Sequence, residues 1–459
     1  MGSVAALAAA IFAVAVAGSS AARAPLRTVT RAPPPGLRAP GTVSEPHLAI
    51  GPAHPSVLVA VAQTRDLAAW RSEDGGRTWR ASPPVAGRSS RRGYGAGDPV
   101  VALGADGSAH LGGVVFDTQG RCTLLNRVGS YRSWNGGRNF RPLAKAGQTQ
   151  RLPRRFFGVP PLPNCPLPPG LTHVATNDKP WLAVDSSTGP RRGWMYLAWT
   201  VNDQYPDGRT FSTLLFAASR NGGRTYGRPV VVAPRARAPD ELEQYSQVAV
   251  RPDGTIDIVW NARRSGATVI LHSASRNGGA SFGAPERVTT RPRGTTPLGL
   301  ASSLAVSPTG RLAVCWAGSI RAKAYVPRIA CSLSDGNRVW SRPVSPFANA
   351  GRQYLPAAAF QGGRLWVAAY RSTAETTRVL VTRSDDRRSF AQPVVLATRP
   401  YGRSVICAPH PPDCGPRQRF VGDYIGAVAS SDAFSVAFVL PVRGPASPNR
   451  VFVATLEQP

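Results

Sequence analysis

Sustained helical periodicity is missing from this chain of 459 residues beyond about residue 20, which excludes a helical bundle. Lysine is nearly absent: only Lys145, Lys179 and Lys323 stand among 55 basic residues, and with 25 acids the formal net charge is +30. A field of that sign draws polyanions. The arginines are spread along the chain, however, and no nucleic-acid-binding motif is recognisable, so no specific nucleic-acid partner is expected. CxxC pairs are missing too, which argues against a metal ribbon and for disulfides among the six cysteines. The expected pairs are Cys122 with Cys165, Cys315 with Cys331, and Cys407 with Cys414. Long apolar runs are scarce. The run VAALAAAIFAVAVAG at 4–18 is shorter than the roughly 20 residues of a spanning helix, so no transmembrane segment is expected. Followed by SSAARA, it reads as a secretory signal over residues 1–22, and the protein as extracellular. Residues 23–44 form a Pro/Arg-rich leader.

What the chain does have is repetition. SEDGGRTW (72–79), SWNGGRNF (133–140), SRNGGRTY (219–226) and SRNGGASF (275–282) are copies of one string, and worn copies follow at 332–340 and 384–390. The residue types suit a tight turn between strands. The Asp74 or Asn135, Asn221 and Asn277 side chain can accept backbone N–H groups two residues on, and the Ser72 hydroxyl can satisfy another donor. Gly76, Gly137, Gly223 and Gly279 supply positive φ. Trp79 and its counterparts are expected to point inward between sheets. A catalytic residue is not needed six times over, so the string defines architecture and not chemistry.

Between the boxes runs a second repeat: apolar strand, turn, apolar strand. It occurs seven times, at 45–63, 98–116, 179–200, 246–260, 302–316, 355–370 and 423–439, with PDG, PTG and GADG as hairpin turns. Strand, hairpin, strand, loop, strand, box and strand make one four-stranded propeller blade. An all-β, single β-propeller over 45–459 is predicted. The count favours seven blades. LRTVT at 26–30 is the candidate fourth strand of the last blade, where it would close the ring and remove open edges.

These boxes resemble the Asp-box, or BNR, repeat of sialidase-like β-propellers of the secreted bacterial type. That resemblance suggests six blades as the alternative count. It implies a tyrosine nucleophile assisted by a glutamate, an acid/base carboxylate, and arginines that clamp an acidic sugar. The family's Arg-Ile-Pro type motif is replaced here by SEPHLAI at 44–50. In propellers the face on which the innermost strands begin commonly holds the site. The catalytic candidates on it are Tyr424, Asp423, Asp98, Asp178 and Glu45. The substrate-binding candidates are Arg264, Arg371, Arg419, Tyr245 and Tyr354. Glu241 and Glu243 are the nearest glutamates for the tyrosine. The expectation is a glycoside hydrolase acting on an anionic sugar such as sialic acid, monomeric and without a cofactor, with room for a structural cation in an acidic ring. The alternative is a non-catalytic propeller that binds anionic glycans or cell-surface polymers.

Overall fold

The computed structural model describes residues 27–31 and most of 43–457. Outside the described residues lie 1–26, 32–42, 86–94, 154–164, 166–168, 236–240, 289–295, 298–300, 401–405, 408–418, 442–447, 458–459 and gaps of one to three residues elsewhere. The expected signal segment, the Cys407–Cys414 pair and most of the longest loops therefore fall outside the description.

Short alternating strands, each too small to bury itself, stack as seven sheets around one axis. Blade 3 shows the pattern: Val174–Val184, Met195–Gln204, Thr210–Ser219 and Val230–Ala233 pair antiparallel in chain order. The innermost strands of successive blades pack side by side, and Gly426–Ala429 of blade 7 packs against Ser44–Ile50 of blade 1. Seven blades are thus established. Arg27–Arg31 pairs antiparallel with Asn449–Glu457, with Thr28 opposite Leu456. The predicted N-terminal strand closes the last blade.

Two blades depart from the pattern. Blade 2 carries two outer strands on Thr123–Ser133: Arg141–Pro142 and, further along, Ala146–Pro153. In blade 5 the outer strand shrinks to a single bridge between Cys331 and Val344. The core lies between blades. Trp199, Trp260 and Trp316 take the fifth position of the second strand in blades 3, 4 and 5, each at most 1% exposed. Cys122–Cys165 and Cys315–Cys331 are disulfides, the latter joining residues directly opposite on neighbouring strands. No helix among the described residues is long and apolar enough to cross a membrane.

The boxes form the expected turns, with longer reach than an Asx-turn. The Ser72 hydroxyl accepts the Gly76 N–H at 2.8 Å, and Asp74 Oδ1 accepts the Thr78 N–H at 2.7 Å, each four residues on. The same pair of bonds recurs at Ser219–Gly223 and Asn221–Thr225, and at Ser275–Gly279 and Asn277–Ser281. Gly76, Gly137, Gly223 and Gly279 have φ of 88°, 96°, 86° and 85°. Burial opposes ionisation of Asp74, but hydrogen bonds from Thr78, Ser72 and the backbone outweigh it and hold its pKa at about 2. Of the four box aromatics, Trp79 is buried, while Phe140, Tyr226 and Phe282 are half-buried.

Candidate functional site at the channel mouth

A repeated backbone irregularity builds the site. In five blades the innermost strand carries one residue in the left-handed region: Glu45, Asp98, Lys179, Tyr245 and Leu355, with φ of 52°, 52°, 48°, 56° and 50°. At each the pairing register slips, as between Ser44 and His47 or Asp178 and Trp181. A non-glycine residue there costs about 1–2 kcal/mol. Bulges of this kind re-aim a side chain. Four of the five precede proline (Pro46, Pro99, Pro180 and Pro356). Proline has no N–H to lose at the interrupted ladder.

Three of these residues, Glu45, Asp98 and Lys179, meet Asp423 of blade 7 on the axis. Lys179 Nζ lies 2.6 Å from Asp98 Oδ1, 2.6 Å from Asp423 Oδ2 and 3.3 Å from Glu45 Oε1. One ammonium thereby ties blade 3 to blades 1, 2 and 7. The Glu45, Asp98 and Asp423 oxygens all lie within 4.8 Å of one another, a grouping that could hold a metal ion. The protein's own ammonium takes the place expected for a structural cation. Asp423 Oδ1 is buried and has no hydrogen-bond partner among the described residues. Burial opposes the charge on Lys179, but Asp98, Glu45 and Asp423 outweigh it and raise its pKa well above the usual value. Burial, with Asp98 beside it, raises Glu45 well above the carboxylate range, and Lys179 offsets only part of this.

Asp178 sits beside this knot, half-buried. Burial raises its pKa; Lys179 pulls it back, Asp98 and Asp423 push it up, and the result is about 6. Asn202 Nδ2 donates to Asp178 Oδ2 at 3.2 Å, and Gln244 Nε2 donates to Asn202 Oδ1 at 3.2 Å. The Tyr245 ring lies under the ammonium, 5.7 Å from centroid to Nζ. Burial, and then Asp423, push the Tyr245 hydroxyl pKa well up.

Aromatic rings floor the site. His47, Trp181 and Tyr424 meet edge to face, with Trp181 4.9 Å from His47 and 5.6 Å from Tyr424. Burial lowers the His47 pKa to about 4, and its Nδ1 accepts the Val101 N–H. Tyr424 donates to the Pro99 carbonyl at 2.9 Å, and burial followed by Glu45 raises its pKa well above 10. Beyond this floor the channel holds a cavity of about 270 Å³.

The structure gathers Glu45, Asp98, Asp178, Asp423, Tyr245 and Tyr424 in one place. It does not bring in the other candidates. Arg264 pairs with Glu243, which also accepts the Trp260 indole N–H at 2.6 Å, so this glutamate is already engaged. Tyr354 is buried, bonded to Ser372 and stacked on Tyr370. Arg371 stands half-buried at the end of its strand, its pKa lowered by burial and by Arg378 and Arg328. The Arg419 side chain lies outside the described residues. Lys179, Asn202 and Gln244 belong to the site, though the sequence gives them no motif. The signal for Lys179 was its place before Pro180, matching Glu45-Pro46 and Asp98-Pro99.

No family model matches the chain, and no curated protein matches it. Solved structures do. A polysaccharide lyase of the ulvan lyase type, bound to -[GlcA(1-4)Rha3S]-, superposes with a TM-score of 0.53 at 11% identity, over 93% of this chain and 95% of its own. An α-L-arabinofuranosidase of Fusarium graminearum gives 0.48 at 15% identity, over 75% and 92%. A protein of unknown function from Dyadobacter fermentans gives 0.47 at 13%, over 94% and 98%. The likeness at such identity is one of fold.

Proposed function

We propose that this chain is a secreted propeller that acts on anionic glycans, with Asp178 as general acid at the channel mouth. One observation carries the proposal: a half-buried carboxyl with a pKa near 6, held by Asn202 beside a fixed ammonium. A general acid works best with a pKa near the operating pH. The net charge of +30 favours an acidic substrate. Propeller neighbours that act on sugars support the choice of substrate class, and the two disulfides support an oxidising compartment. In this reading Lys179 fixes the carboxylates and offers its charge to the sugar acid. Tyr424 supports the floor, since its hydroxyl is bound to Pro99 and its pKa is raised. A sialic acid glycoside is the finer candidate, and there Tyr424 would be the nucleophile.

The test is turnover of a panel of acidic polysaccharides and fluorogenic glycosides, a sialoside included, by wild type, Asp178→Asn and Tyr424→Phe. Loss of about 10²- to 10⁴-fold is expected for Asp178→Asn, with substrate binding kept. Wild-type turnover should fall as pH rises through about 6, because the acid must carry its proton. Full activity in Asp178→Asn would remove the assignment. A second reading, a propeller that only binds, is favoured by the ion pairs that engage Glu45, Asp98 and Asp423. Salt-sensitive binding without any product would establish it.

A further inference from the structure

The flank between blades 2 and 3 holds a larger space than the channel. A groove of about 590 Å³ opens there, within the ~300–1,000 Å³ of ligand clefts. One wall is the strand Ala146–Pro153, which only blade 2 among the described blades possesses. The other is the face of blade 3 that carries Asn177, Trp199 and Tyr226.

Its lining is unusual in what is left unmet. Asn177 is 2% exposed, and its amide nitrogen donates to the Asn126 and Gln148 carbonyls, both at 3.1 Å. Its Oδ1 is buried without a partner among the described residues. So is Nε1 of Trp199, which is 0% exposed. Buried polar atoms are normally paired, and an exception asks for a reason. Both residues line the groove, and each leaves a buried polar atom unmet in its wall, so the wall is polar as well as aromatic. Gly147 has φ of +64°, and a Cβ on it would meet Trp199 Cζ2 at 2.4 Å. The backbone thus lies directly on the indole, and only glycine leaves that wall in place. Gln148 and Gln150 add exposed and half-exposed amides, and Tyr226 adds a half-buried ring. Lys145 and Arg228 are exposed on the rim, and no acidic side chain among the described residues lines the groove. Neither cation forms an ion pair among the described residues; Lys145 Nζ donates to Thr149 Oγ1 at 2.9 Å.

We infer that this groove is a second binding site, distinct from the channel mouth, for a segment of acidic oligosaccharide. The sugar hydroxyls meet the Gln148 and Gln150 amides, over the wall that Asn177 and Trp199 help to form. The carboxylate or sulfate groups meet Lys145 and Arg228. A long polymer held here would be anchored on the flank, independently of any reaction at Lys179 and Asp178.

The test uses the full protein with an oligogalacturonate hexamer as the acidic probe and maltohexaose as the neutral one. Binding is read by calorimetry and located by hydrogen exchange. The acidic probe should bind and protect 145–150 and 226–229. Lys145→Glu/Arg228→Glu should weaken it by about tenfold or more. The control Arg287→Glu/Arg342→Glu, on exposed arginines elsewhere, should leave affinity within about twofold and so rule out a general charge effect. Asp178→Asn should leave protection of the groove intact, which separates this site from the channel reading. Absence of binding, equal affinity for the neutral probe, protection confined to other segments, or indifference to the rim substitutions would each overturn the inference.

Discussion

Replacing Lys179 with methionine should destabilise the protein by about 3–5 kcal/mol at neutral pH, the usual cost of removing one partner from a buried ion pair. Glu45, Asp98 and Asp423 have side chains 3%, 11% and 6% exposed, and this ammonium is the cation that all three share. Without it, three carboxylates face one another within 4.8 Å. The loss should also have an unusual pH dependence. With the ammonium gone, the folded-state pKa of Glu45, already raised by burial and by Asp98, loses the pull of Lys179 and rises further above its unfolded value. A raised carboxyl pKa leaves stability intact at low pH and removes it as pH rises through the folded pKa. The gap in melting temperature between variant and wild type should therefore widen from pH 4.5 to pH 8. A gap that stays constant would mean that the carboxylates are not the cause.

The same variant tests the cation alternative. Three carboxylate oxygens at this spacing are hard ligands of the type calcium takes. Millimolar calcium should raise the melting temperature of Lys179→Met by binding the folded state alone. The wild type, with an ammonium in that place, should not respond.

The fold was legible because its information is repeated. The boxes and the seven strand pairs both mark the blades, and the box aromatics and central tryptophans agree with them. The closing strand could be placed because the last blade lacked a fourth member. The candidate site was legible only in outline. Glu45, Asp98, Asp178 and Asp423 could be assigned to one face from their place before a strand. Which member of Asp178-Lys179 reaches the axis depends on a one-residue bulge, and residue types do not fix that. Lys179 has φ of 48° and points inward, whereas Asp178 is left beside it. Arg264 failed to join for a different reason: Glu243, buried next to Trp260, satisfies it locally. The flank groove had no signal at all. GQTQRL at 147–152 lacks alternating hydrophobicity, so the extra strand of blade 2 is invisible in the sequence. Trp199 reads as one more core residue of a second strand.

Gly422→Ala should be the most damaging methyl addition near the site. Gly422 has φ of +114°, and a Cβ there would stand 2.4 Å from the Glu45 nitrogen and 2.7 Å from its Cα. The obstacle is backbone, so no side chain can swing away. Glu45 N–H also donates to the Val421 carbonyl at 3.2 Å, which is how blade 7 is stitched to blade 1 at the mouth. An added methyl pushes these strands apart, weakens that bond and draws Glu45 away from Lys179. Left-handed strain of about 1–2 kcal/mol and overpacking of about 1–3 kcal/mol together predict a loss of about 2–5 kcal/mol. Gly362→Ala supplies the comparison. That glycine has φ of +57° with nothing within 4 Å of its Cβ position, so its replacement should cost only the strain, about 1–2 kcal/mol. Urea unfolding of both variants separates the terms. A clearly larger loss at Gly422 is expected, together with a drop in whatever turnover or binding the mouth supports. Equal losses would mean that blade 1 yields to the methyl, and that the junction of the first and last blades is softer than its contacts imply.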